Sequence, residues 1–317
     1  MSERDSIEQL HNALEGAAAA PVDRRTRELL AVARGLRNMP REDFRTRLKA
    51  DLKEKAMATA AIHFIPKGFH SVTPYLIVQG AAQFIDFLKQ AFGAEENLRV
   101  PRPDGTIMHA QMKVGDSIVE LADSNEQYPP RPANIHLYVE DTDAAYERAL
   151  QAGATSIGQP EDRPYGERSG GVKDPAGNNW YIATQFGPRH VPEGLRTINP
   201  YFHPQGTGKL IEFLKNAFGA EEVGVYREPA DGPIVHAKIR LGDTIVEMGE
   251  AHGPYQPMPF GLHYYVPDVD AVYRRALEAG AKSISAPADQ PYGERGAGII
   301  DPAGNQWFIA TLLRMRE

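Results

Sequence analysis

The sequence predicts an α+β protein built from two tandem copies of one domain, preceded by a short all-helical segment. Three observations carry this. A stretch of about 113 residues occurs twice, each copy reads as strand, helix and three strands repeated once, and the first 57 residues carry only helical periodicity.

The repeat is direct. VEDTDAAYERALQAGATSI (139–157) returns as VPDVDAVYRRALEAGAKSI (266–284), and PYGERSGGVKDPAGNNWYIAT (164–184) as PYGERGAGIIDPAGNQWFIAT (291–311). FIDFLKQAFGAEE (84–96) returns as LIEFLKNAFGAEE (210–222), with Leu210 in place of Phe84. The offset is 126 residues at first and 127 later, which puts a single-residue insertion near 226–231. A unit of this size can bury its own core, so the pattern is a duplication and not a solenoid. It divides the chain into a helical segment (1–57), a linker (58–70), a first domain (71–186) and a second (197–313).

Within the first copy, VTPYLIV (72–78) is a β-rich run. Residues 81–92 then place Phe84, Leu88 and Phe92 on one helical face, and Gly93 terminates the helix. Strands follow at about 95–100, 107–114 and 117–123, the last two joined by Gly115-Asp116 as a two-residue hairpin turn. NIHLYVE (134–140) alternates Ile135, Leu137 and Val139 with Asn134, His136 and Tyr138, the mark of a half-buried strand. Asp143 is placed to cap a helix over 144–152 that Gly153 ends. A strand near 154–157 and a pair at about 169–173 and 179–185, turned by Asp174-Pro175-Ala176-Gly177, complete the copy.

In the preface, Ile7, Leu10 and Leu14, then Leu29, Val32 or Ala33 and Leu36, then Phe44, Leu48 and Leu52, form three short apolar stripes. Pro21 and Pro40 fall at helix starts. Helices this short need something to pack on, which is either the tandem domains or a partner.

Composition narrows the function. The 317 residues carry a formal charge of −7, and 42% are hydrophobic and 24% charged. That is an ordinary soluble composition, with no basic excess to bind nucleic acid or anionic membrane. The absence of cysteine removes disulfides, thiolate nucleophiles and thiolate metal sites. Without an apolar leader or an 18-residue apolar run, the expectation is a cytoplasmic protein.

PYLIV, AFGAE, HAQMKVGDSIVELAD, HLYVEDTDAA and YGERSGGVKDPAGNNWYIAT, with their second-copy counterparts, resemble the PhnB-like branch of the vicinal-oxygen-chelate superfamily, which holds glyoxalases, bleomycin-resistance proteins and dioxygenases. The resemblance covers about 72–185 and 198–312. It implies paired βαβββ modules whose curved mixed sheets form a cup with helices outside and the site within. In metal-dependent members a His or Gln, a Glu, a His and a Glu hold the ion. The matching places here fall near Thr73, Glu120, Asn134 and Tyr181, and near Asn199, Glu247, Gly261 and Phe308, so only the Glu is kept in each copy.

Strand alternation gives a separate view of the cup. With Val119, Leu121, Ile135, Leu137, Trp180 and Ile182 packed under helices, the inward set is Tyr75, His109, Gln111, Glu120, His136, Tyr138 and Tyr181. The second copy gives Tyr201, His236, Lys238, Glu247, His263, Tyr265 and Phe308. The trios His109, Glu120, His136 and His236, Glu247, His263 recur with the same spacing. They read either as two-His-one-carboxylate sites for Fe, Mn, Ni, Co or Zn, or as hydrogen-bonded polar groups lining a wet cavity. Arg168 and Arg295 in the Tyr-Gly-Glu-Arg loops read either as anion anchors at the rim or as braces to the aspartate of the Asp-Pro-Ala-Gly turns or to loop carbonyls.

Two function classes result. One is a metal-independent protein that binds a small molecule, of the sequestering antibiotic-resistance type, suited by its negative charge to a cationic planar ligand. The other is a divalent-metal lyase, isomerase or dioxygenase in which Glu120 and Glu247 serve as ligand or base. A third reading makes the preface an interaction module on a scaffold. The chain is expected either as a monomer, with the duplication acting as an internal pseudo-dimer, or as a homodimer. Whether each copy closes its own cup or strands 72–123 close on 260–311 is left open by the repeat itself.

Overall fold

The computed structural model describes residues 64–313. The expected helices of residues 1–57 and the first part of the linker lie outside that range. The first copy runs β1 (Val72–Val78), α1 (Ala81–Phe92), β2 (Glu95–Pro101), β3 (Ile107–Val114), β4 (Ser117–Asp123), β5 (Asn134–Tyr138), α2 (Thr142–Gln151), β6 (Thr155–Arg163), β7 (Glu167–Lys173) and β8 (Asn179–Gln185). The second repeats it as β9 (Ile198–Phe202), α3 (Thr207–Phe218), β10 (Glu221–Arg227), β11 (Ile234–Leu241), β12 (Thr244–Met248), β13 (Gly261–Tyr265), α4 (Val269–Glu278), β14 (Lys282–Asp289), β15 (Glu294–Ile300) and β16 (Gln306–Leu312).

The copies do not close on themselves. One eight-stranded sheet has the order β14-β15-β16-β13-β1-β4-β3-β2 and the other β10-β11-β12-β9-β5-β8-β7-β6. The first module of each copy therefore pairs with the second module of the other. The seams are antiparallel: β1 lies on β13 with Thr73 opposite His263, and β5 lies on β9 with His136 opposite Asn199. Within each module the chain order follows the predicted pattern, with β1 parallel to β4 and β5 parallel to β8.

The helices of each copy stay together while its strands divide between the sheets. Arg148 Nε of α2 donates to the Ala91 carbonyl of α1 at 3.2 Å, and Arg275 Nε of α4 to Ala217 of α3 at 3.1 Å. Val119, Leu121, Ile135, Leu137, Trp180 and Ile182 are fully buried in one continuous core with the apolar faces of the helices. Trp180 packs on Phe92 and Trp307 on Phe218, and each indole N–H donates to the aspartate of its own turn, Asp174 or Asp301. Both tryptophans are thus core residues with their one polar atom satisfied.

Two local expectations shift. Asp141 caps α2 by accepting from the Ala144 N–H, so the helix begins at Thr142, and Asp143 lies exposed in its first turn. β6 runs to Arg163, well past the expected 157, because β7 offers a partner along its whole length.

The hairpin turns join the sheets. Asp116 accepts from the Thr197 N–H at 2.9 Å, and Asp243 accepts from the Ser71 N–H at 2.7 Å. His70 adds a contact to each turn, 2.8 Å to the Asp243 carboxylate and 3.0 Å to the Asp116 carbonyl. Gly115 and Gly242 sit at φ +59 and +60, and a Cβ on either would meet the Thr197 or Ser71 hydroxyl at 2.3 or 2.1 Å. Glycine is required there for conformation and for space.

Candidate functional site

Module exchange builds two cups, each with residues from both copies. Cup I draws on β1, β3 and β4 and on β13, β15 and β16. Cup II draws on β9, β11 and β12 and on β5, β7 and β8.

At the floor of cup I, Glu120 is 1% exposed and takes His263 Nδ1 at 2.8 Å, while His109 Nε2 stands 3.6 Å away. Beyond His263, its Nε2 lies 3.7 Å from Glu294, which also accepts from the Tyr265 hydroxyl at 3.2 Å. Tyr75 stands 3.2 Å from His109 Nδ1, Gln111 lies 3.1 Å from His109 Nε2, and Phe308 packs on Tyr75 with centroids 5.3 Å apart.

Cup II repeats the plan. Glu247, 1% exposed, takes His136 Nδ1 at 2.7 Å and His236 Nε2 at 3.2 Å, one on each oxygen. Tyr138 donates to Glu167 at 3.4 Å, and Tyr181 and Tyr201 meet edge to face at 5.6 Å. Lys238 stands opposite Glu247 on the neighbouring strand.

The sequence trios are therefore regrouped. His136 joins His236 and Glu247, and His263 joins His109 and Glu120, because the antiparallel seams carry each second-module histidine into the other copy's cup. The seven residues named from alternation in one copy are divided between the two sheets, those of β1, β3 and β4 in one and those of β5 and β8 in the other.

Burial by itself lowers the His136 pKa, but the Glu247 carboxylate outweighs it and leaves the imidazole raised above 6.5. His263 is raised in the same way by Glu120, with Glu294 adding to it. Burial pushes the Glu247 pKa up, and the two histidines more than reverse this and hold it well below the usual carboxylate range. Desolvation leads the rise at Tyr138 and Tyr265, with carboxylates on either side adding to it, so both phenols stay protonated donors.

Three residues escaped the sequence reading. Glu167 and Glu294 precede the arginines of the Tyr-Gly-Glu-Arg loops, and period-two alternation on β7 and β15 turns them inward. His203 lies against Tyr201 and Tyr255, with centroids 4.8 and 5.0 Å away, and desolvation lowers its pKa to about 4. The signal for His203 was its place two residues beyond Tyr201.

Arg168 and Arg295 turn the opposite way. Arg168 makes a two-pronged pair with Asp143 at the start of α2 and a further bond to Asp162 at 2.9 Å, and Arg295 does the same with Asp270 and Asp289. Every guanidinium nitrogen is engaged by a carboxylate, and the partners are not the turn aspartates. Asp174 and Asp301 are occupied by Trp and Asn side chains instead.

The donors do not suit a metal ion. The four family positions brought together in cup I are Thr73, Glu120, Gly261 and Phe308; in cup II they are Asn199, Glu247, Asn134 and Tyr181. Each set offers one carboxylate, already hydrogen-bonded to two histidines or flanked by them. Among the described residues no group of three or more His, Asp or Glu is arranged to hold a metal ion.

A cavity of about 540 Å³ lies beneath the segment joining the copies, between Arg189, His190, Leu195, Arg240 and Ile245. Arg240 and Ile245 face each other across β11 and β12, one inward pair along from Lys238 and Glu247, so this space adjoins cup II without being its floor.

The family model for the glyoxalase/bleomycin resistance protein/dioxygenase superfamily matches residues 68–182 and 206–309. The chain belongs to this superfamily. An uncharacterized protein of Mycobacterium tuberculosis is 38% identical over 135 residues, covering 39% of this chain and 77% of that relative. The anthracycline biosynthesis protein DnrV of Streptomyces peucetius is 28% identical over 200 residues, covering 59% of this chain and 69% of its own length. The crystal structure of glyoxalase I from Zea mays superposes with a TM-score of 0.58 at 16% identity, over 76% of this chain and 92% of that one, a likeness of fold. None of the helices among the described residues is long and apolar enough to cross a membrane.

Proposed function

We propose that this superfamily member binds small aromatic molecules in its two cups and works by enclosing them, without a catalytic metal. The observation that carries this is the state of the buried glutamates. Glu120 and Glu247 are committed to histidines of the opposite copy, and the remaining family ligand positions hold Gly, Thr, Asn or an aromatic residue. Such a floor gives hydrogen bonds and fixed charge, and the walls of Tyr75, Phe308, Tyr181 and Tyr201 give flat contact area. The kinship with a protein named for anthracycline biosynthesis supports a polycyclic aromatic ligand. Sequestration of an antibiotic is the role we propose for such binding, in the cytoplasm.

Titration calorimetry with daunorubicin as probe tests this, alongside elemental analysis of untagged protein purified without chelator. The reading expects binding that Tyr75→Ala and Tyr201→Ala weaken, in protein without stoichiometric Fe, Mn, Ni, Co or Zn. One or two tightly held metal equivalents per chain, lost in Glu120→Ala and Glu247→Ala, would overturn it in favour of a metal-dependent lyase, isomerase or dioxygenase.

A further inference from the structure

The two cups share a plan, so the places where they differ act as an internal comparison. Several inward positions carry different chemistry. Ile77 in cup I corresponds to His203 in cup II, Phe308 to Tyr181, Gln111 to Lys238, Thr73 to Asn199 and Gly261 to Asn134. Among these, the exchange of Gln111 for Lys238 is the one that brings a cation into cup II.

In cup I, two carboxylates, Glu120 and Glu294, flank the single imidazole of His263. Gln111 is neutral and spends its amide on His109. In cup II, Glu247 and Glu167 stand in the same relation to His136, but Lys238 adds a cation. Glu247 gives its oxygens to His136 and His236, and among the described residues no carboxylate makes an ion pair with Lys238. The ammonium is only partly exposed, on the inward face of β11, and its charge is felt at His136. A partly exposed ammonium on an inward strand face, opposite a glutamate whose two oxygens are already taken by histidines, is a receptor for an anion.

We propose that the cups are specialised by charge: cup I takes an aromatic ligand bearing an ammonium group, and cup II takes one bearing a carboxylate or acidic hydroxyl, with Lys238 as the residue that sets the difference. This rests on the reading of the cups as ligand sites and goes further by naming the chemical class each accepts.

The test uses the full-length chain and three anthraquinones of the same shape: the 2-carboxylate, the neutral 2-carboxamide and the 2-aminomethyl cation. Calorimetry should show one equivalent each of carboxylate and cation bound tightly. Lys238→Gln should lower the carboxylate-to-carboxamide affinity ratio at least tenfold, and Gln111→Lys should raise it at the other cup, each variant melting within a few degrees of wild type. Wild-type binding of all three probes with a ratio that neither variant moves would overturn the charge assignment and leave the binding reading standing. Failure of every probe to bind at millimolar concentration would overturn both.

Discussion

His136 and Glu247 stand 111 positions apart in the chain, yet Nδ1 of one lies 2.7 Å from Oε2 of the other at the buried floor of cup II. His263 and Glu120 hold the mirror relation at 2.8 Å in cup I. Each cup is thus closed by an ion pair or charged hydrogen bond between the two copies, and the exchange of modules is what creates it.

The first prediction concerns this pairing. A double-mutant cycle of His136→Asn with Glu247→Gln should give a coupling of about 1.5 kcal/mol or more, as contacting buried groups do. The same cycle of His136→Asn with Glu120→Gln should give less than about 0.5 kcal/mol, because those residues lie in different cups. Glu247→Ala alone should cost about 3–5 kcal/mol by stranding the buried His136, measured from urea midpoints. Strong coupling to Glu120 with weak coupling to Glu247 would mean that the modules pair within each copy.

The fold was largely legible and the site only in halves, for one physical reason. Local pattern fixes strands, helices and turns: residues 72–78, 81–92 and 179–185 match their predicted bounds, since alternation, a helical stripe and glycine stops are all short-range signals. Which edge β1 joins is not short-range. β5 and β13 occupy the same place in the two copies and both are largely buried, so either could satisfy β1, and the trios, drawn from residue type, a shared face and repetition, grouped His136 with Glu120 of its own copy. Arg168 misled for a related reason. A guanidinium in a Tyr-Gly-Glu-Arg loop present in both copies suggested an anion anchor, while the pleat turns it to Asp143 and presents Glu167 to Tyr138.

The second prediction is a pH dependence. His70, His136 and His263 all have pKa values raised above 6.5, so the stability they contribute is fully present below pH 6.5 and is lost as pH rises through their folded values. Glu247 and Asp243 are lowered, so their share is present above about pH 4.5 and is lost as pH falls toward their folded values. Thermal melting should therefore peak between about pH 5 and 6.5 and decline on the alkaline side. His70→Asn, His136→Asn and His263→Asn combined should flatten that decline. A combined variant that keeps the wild-type alkaline slope would exclude these histidines as its source.

The third prediction separates backbone strain from steric crowding at the turns that join the sheets. Gly105 has φ +85 and open space around its Cβ position, so Gly105→Ala should cost about 1 kcal/mol from conformation alone. Gly115→Ala and Gly242→Ala add a Cβ within 2.3 and 2.1 Å of the Thr197 and Ser71 hydroxyls, which themselves belong to the aspartate clamps. Each should cost about 2–4 kcal/mol, read from urea midpoints at unchanged slope. If all three alanine variants lose the same stability, the close approach across the sheet junction is not tight.

The last prediction follows from the strand order. A fragment of residues 64–186 contains β1 and β5, both built for burial, and removes β13 and β9 from their exposed edges. A long apolar edge strand seeks a partner. Because β13 is a near copy of β5, the fragment can satisfy itself by laying β1 of one molecule on β5 of another, which makes a homodimer with two cups. The complementary fragment of residues 187–313 can do the same through β9 and β13. Light scattering on size-exclusion peaks should give twice the fragment mass for each half alone. Mixing the two under mild denaturant and refolding should give a one-to-one complex of about the mass of residues 64–313. Native mass spectrometry distinguishes the two dimers by the small mass difference of the halves. A stable, folded monomer of either half would require each copy to close its own cup, and with it His136 to lie beside Glu120.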